Sequence, residues 1–139
     1  MVRNPYAHAE GLMRRNEWNV RRAANFSMMC LRTQLENRRR LGAEPVLTYE
    51  SLVQDPAGAC AQLTGAIPAL GKLDHQASFE VHSVDGTLQR PITDLNAKKI
   101  ASLSDDLVAA MNEVFESHRE TINAWEYELI TPGTQGSLQ

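Results

Sequence analysis

The chain has 139 residues and a formal net charge of −3, with 42% hydrophobic and 22% charged residues. That length holds one domain with a modest core, and the composition is that of an ordinary globular chain. The slight acidic excess excludes a broad nucleic-acid surface, which normally needs a basic balance. Cys30 and Cys60 are far apart and form no CxxC pair, so a reduced, cytosolic setting fits better than a disulfide scaffold or a structural zinc site. No stretch approaches the ~20 apolar residues that span a bilayer, and polar residues begin at Arg3, which leaves no apolar signal core. The composition therefore points to no membrane and no nucleic-acid partner.

Met1-Val2 reads as the end of a strand, and Asn4-Pro5 opens a helix that runs to Asn16. Asn4 is a good N-cap, and Pro5 suits the first helical position because its missing N–H would have been unpaired there anyway. Arg3, just ahead of that terminus, reads either as part of an anion site or as a solvated charge. Ala7, Ala9 and Gly11 are small, which permits close approach by a ligand or backbone, or tight packing of helix on sheet. The spacing of Ala24, Met28, Leu31 and Leu35 predicts a second helix over Val20 to Leu41. Its basic last turn, Arg38-Arg39-Arg40, complements the dipole; Gly42 is the stop, and Met28-Met29 reads as core filling.

Val46-Leu47-Thr48-Tyr49 is β-prone, and Glu50 to Val53 reads as a turn or one helical turn. Asp55-Pro56 repeats the helix-start signature, for a helix to about Leu63 ended by Gly65. A strand between helices is an α/β pattern, yet one strand cannot make a sheet, so its partners are expected from elsewhere. From Ala66 to Ile92, a ribbon turning at Asp85-Gly86 and a surface loop fit equally. Thr93 to Asn96 caps a short helix through Leu103. Ser104 then opens a long one, with Leu107, Met111, Val114, Phe115, His118 and Ile122 on one face. Trp125, Tyr127 and Leu129 continue the packing, and residues 131–139 read as a disordered tail. The four histidines are dispersed and form no HExxH, so no metal site and no catalytic constellation is expected.

The order VRNPYAHAEGLMRR, a long helix, then VLTYESLVQDPAGACAQL resembles the C-terminal half of sulfotransferases that use 3′-phosphoadenosine 5′-phosphosulfate. The later stretch HSVDGTLQRPITDLNAKKIASLSDDLVAAMNEVFESHRETINAWEYEL is similar to the tail of their bacterial members. The resemblance reaches to about Leu129. It implies an α/β fold, a fragment of a P-loop-like parallel-sheet domain over residues 1–130 that is mostly α-helical as it stands.

It also implies roles for particular residues. Arg3 matches the arginine that holds the 3′-phosphate, and Tyr49 the tyrosine near the adenine. Gly11 stands where the family usually has a serine that shares this phosphate, and Arg90 is the nearest substitute for the family's Arg-Lys-Gly loop. The loop for the 5′-phosphosulfate and the general base would lie upstream of Met1, so the chain alone is expected to be inactive. The acceptor would be an alcohol or amine that the sequence does not identify. The rival reading is a non-catalytic helical interaction module built on that scaffold. Self-association through an incomplete sheet is also expected.

Overall fold

The computed structural model describes residues 1–42, 46–83 and 86–133, which fall into two compact units. The described chain is mostly helical, with very little sheet.

The larger unit holds Asn4–Leu41 and the chain from Leu95 onward. Its first helices, α1 (Pro5–Asn16) and α2 (Val20–Leu41), have the boundaries that capping and periodicity predict. The Asn4 side chain accepts from the backbone N–H groups of Tyr6 and Ala7, and Gly42 ends α2 at φ +54°. Leu95 precedes a short helix, which we number α5 (Asn96–Ala101); α6 (Asp105–Glu116) and α7 (Arg119–Ala124) complete the unit. Helix α2 is the hub, packed against α1, α6 and α7, while α1 also meets α5. The small residues of α1 therefore serve helix-on-helix packing rather than helix-on-sheet: Ala7 and Ala9 are fully buried. Tyr6, Met28, Val108, Met111, Phe115 and Ile122 fill the core between the helices.

Three expectations fail here, one of them at α5, which has no side-chain cap from Thr93 to Asn96 and ends at Ala101 rather than Leu103. Met28 is core, but its neighbour Met29 is 48% exposed, because it points ~100° further round the helix, onto the side that bears exposed Arg22 and Arg40. The long helix expected after Ser104 breaks at Ser117-His118. The Ser117 hydroxyl donates to the Val114 carbonyl, and His118 adopts a non-helical φ/ψ of −122°/24° ahead of α7. His118 is thus a half-buried junction residue rather than a member of a continuous apolar stripe.

The smaller unit holds Met1–Arg3 and Gly42–Asp94. It contains α3 (Tyr49–Gln54), α4 (Pro56–Ala66), a 3₁₀ turn at Pro68–Leu70, and the antiparallel pair β1 (Phe79–Ser83) and β2 (Gly86–Arg90). The ribbon alternative for this stretch is the one present; Asp85 of the expected turn lies outside the described residues.

The strand expected at 46–49 shrinks to one parallel bridge between Val2 and Thr48. Thr48 ends it by capping a helix: its side chain accepts from Ser51 N–H, and the Ser51 side chain accepts from Thr48 N–H. Tyr49 is consequently the first residue of α3, not the end of a strand. Asp55 alone separates α3 from α4, closing one with its N–H to the Ser51 carbonyl and opening the other by accepting from Gly58 N–H at 2.9 Å. Gly65 sits inside α4 rather than ending it, since the helix runs on to Ala66. Of the tail, residues 131–133 are described and Gly133 N–H reaches the Asp105 carboxylate at 2.8 Å; residues 134–139 lie outside the described residues.

Candidate functional site

In the smaller unit, Val2 is buried and held between two backbone bonds. Its N–H donates to Leu47 O at 3.1 Å, and its carbonyl accepts from Tyr49 N–H at 2.6 Å. This is the alternating pattern of parallel strands. It sets Arg3, the next residue, beside the start of α3, where the Arg3 guanidinium carbon lies 4.1 Å from the Tyr49 ring centroid. The Tyr49 hydroxyl donates to the Thr93 carbonyl at 2.8 Å, so the ring is fixed at both its backbone and its phenol end. A guanidinium this close to a ring face makes a cation–π contact. Two of the four sequence-selected residues, separated by more than forty positions, are therefore in direct contact.

Arg90 closes β2 opposite Phe79 in the ribbon register, and its side chain is exposed. Gly11 belongs to the larger unit, in the interior of α1. There a Cβ would stand 2.7 Å from Lys99 Nζ. Lys99, on α5, also lies 3.6 Å from Glu10 Oε2, while Arg14 Nε lies 3.2 Å from Glu10 Oε1. Glu10 and Lys99 are only 12% and 17% exposed. Sequence reading missed this cluster. The i,i+4 spacing of Glu10 and Arg14 is a visible signal, but nothing in the sequence connects Lys99 to Gly11.

Replacing Gly11 by Ala tests whether the glycine is needed for this approach. The change gains about 1 kcal/mol of helix propensity, and the lysine amine that must move is the end of a flexible chain. The expected denaturation midpoint stays close to that of the unsubstituted chain. A loss above about 2 kcal/mol would show instead that Lys99 is rigidly placed.

The larger unit also holds an open groove of about 870 Å³ between α6, α7 and residues 127–132, lined among others by Asn112, Glu113, Glu116, Arg119, Tyr127 and Glu128. None of the four sequence-selected residues lines it. Behind it, the buried Tyr6 hydroxyl donates to Asn112 Oδ1 and accepts from Ile130 N–H at 3.0 Å, and Asn112 Nδ2 donates to Ile130 O at 2.8 Å. His8 and Ser27 form a further pair of structural character. Ser27 donates to the Pro5 carbonyl, so it accepts from His8 Nδ1–H at 3.2 Å and is not a free nucleophile.

Among the described residues, no group of three or more His, Cys, Asp or Glu is placed to hold a metal ion, and no helix is long and apolar enough to cross a membrane. The chain matches no family model, no curated protein and no solved structure.

Proposed function

We propose that this chain is the nucleoside-side portion of a sulfotransferase-like α/β domain, with Arg3 holding the 3′-phosphate and Tyr49 the adenine side of 3′-phosphoadenosine 5′-phosphosulfate. The observation that carries the reading is the contact of Arg3 with Tyr49 at the end of a parallel backbone bridge. A guanidinium held against an aromatic ring beside a paired backbone is a forked, permanently charged donor, a type that suits bidentate binding of a phosphate. The parallel sense of the Val2–Thr48 bridge also supports descent from a parallel sheet, since parallel pairs occur almost only within α/β sheets. The nucleotide supplies the sulfuryl group. Residues of this chain bind and orient its nucleoside end, and none is assigned to the transfer step.

Titration calorimetry with adenosine 3′,5′-bisphosphate tests the reading, with adenosine 5′-monophosphate as the control lacking the 3′-phosphate. Binding is expected for the bisphosphate and much less for the control. Arg3→Ala is expected to weaken it about 10- to 100-fold, because a hydrogen bond to a charged group is worth about 1.5–3 kcal/mol. No heat at millimolar bisphosphate, with the chain folded by circular dichroism, would reject the nucleotide site and favour the interaction module.

A further inference from the structure

The two units differ sharply in how much apolar surface they bury. In the larger one Tyr6, Met28, Val108, Met111, Phe115 and Ile122 are all enclosed. Among the described side chains of the smaller one, only Val2 and Ala59 are buried. Leu52, Val53 and Leu63 are half-buried there, and Ile67 and Leu70 are exposed.

The local elements of the smaller unit add little stability of their own. Helices α3 and α4 have 6 and 11 residues, and isolated helices shorter than ~12–15 residues are marginal in water. A single two-stranded ribbon such as β1–β2 is marginal for the same reason, since it has no third strand to extend its pairing.

Three hydrogen bonds tie distant segments of this unit at one junction. Val2 N–H donates to Leu47 O, Tyr49 N–H to Val2 O, and the Tyr49 hydroxyl to Thr93 O. Residues 1–3, 47–54 and 91–94 meet there, and the Arg3–Tyr49 contact sits at the same place.

From this contrast we infer that the smaller unit opens separately from the larger one, and that a nucleotide bearing a 3′-phosphate holds it closed. The inference rests on the nucleotide reading above and adds that the site is assembled together with its ligand. A ligand that touches both Arg3 and Tyr49 finds its full set of contacts only when the three segments are joined. It therefore binds the closed form and not the open one, and mass action shifts the chain towards the closed form. Its apparent affinity is lowered by the fraction of chains that are open.

Native-state hydrogen exchange, followed residue by residue by NMR on the full chain, tests this with and without adenosine 3′,5′-bisphosphate. Without nucleotide, the amides of Tyr49, Leu52 and Ala59 are expected to be at least ~100-fold less protected than those of Met28 and Met111, although all three are hydrogen-bonded. With the bisphosphate at about 100 times its Kd, their exchange is expected to slow about 100-fold, the factor that mass action allows. Adenosine 5′-monophosphate, which lacks the 3′-phosphate, is expected to slow them much less. Amides at Tyr49, Leu52 and Ala59 that are as protected without nucleotide as those of Met28 and Met111 would overturn the inference. So would calorimetric binding of the bisphosphate that leaves their exchange unchanged, a result that spares the nucleotide site itself. No heat of binding would instead reject that site, and the closing ligand with it.

Discussion

Phe115→Ala is expected to destabilise the larger unit by about 3–5 kcal/mol, the largest effect of any single truncation considered for this chain. Phe115 is fully buried, and its ring meets that of Tyr6 edge-on at 4.9 Å with an interplanar angle of 90°. The substitution removes the apolar transfer energy and the aromatic pair, and it leaves a void between α1, α2 and α6 that rigid helices close only partly. Against a total stability of about 5–15 kcal/mol, that is about a fifth of the margin or more. A thermal melt followed at the helical circular dichroism band should show the midpoint falling by on the order of 10–20 °C. A fall of only a few degrees would mean that the helices collapse into the space, and that α6 is less firmly docked than its burial implies.

Tyr6→Phe should have the next largest effect, about 1–3 kcal/mol, although it removes a single oxygen. That oxygen joins α1 to α6 and to the C-terminal segment at once, and its loss strands both Asn112 Oδ1 and Ile130 N–H. The cost comes from polar groups left without their partner, not from lost volume. Limited proteolysis should then cut the segment near Ile130 faster than in the unsubstituted chain, even at temperatures where the helices persist.

The same hydroxyl adds a pH dependence of definite sign. Burial is the main cause raising the Tyr6 pKa above its ordinary value of 10.0, with smaller lowering contributions from the Ile130 backbone bond and Arg119. The folded state therefore holds this proton more tightly than the unfolded one. Its contribution is complete below about pH 10 and shrinks as the pH rises through the folded value. Tyr6→Phe should remove that alkaline component, giving a flatter stability profile above pH 10 from a lower starting point. An identical alkaline slope in the two proteins would assign the loss to other groups.

Local chemistry is where sequence reading succeeded. Asn4-Pro5, Asp55-Pro56 and Ser104 start helices by satisfying backbone N–H groups within three residues of themselves. The apolar repeat of α2 needs only its own spacing to predict a buried side. Such signals survive without knowledge of the rest of the chain, because the interacting groups are near neighbours in sequence.

Where two local signals compete, tertiary context decided between them. Thr48-Tyr49 is β-prone by composition, yet Thr48 caps α3 and only one bridge to Val2 remains. Ser117-His118 continues an apolar repeat, yet the helix ends there, and α7 delivers the Trp125 indole N–H to the Leu31 carbonyl at 3.0 Å. The site followed the same division. The resemblance carried by the sequence motifs singled out Arg3 and Tyr49, and it implied a phosphate and an adenine as their partners. That the Arg3 guanidinium meets the Tyr49 ring at 4.1 Å, and that Lys99 Nζ comes up against Gly11, was decided by the tertiary structure alone. Those contacts join residues more than forty positions apart. They are specified by how whole elements pack, and no short window of sequence carries that information.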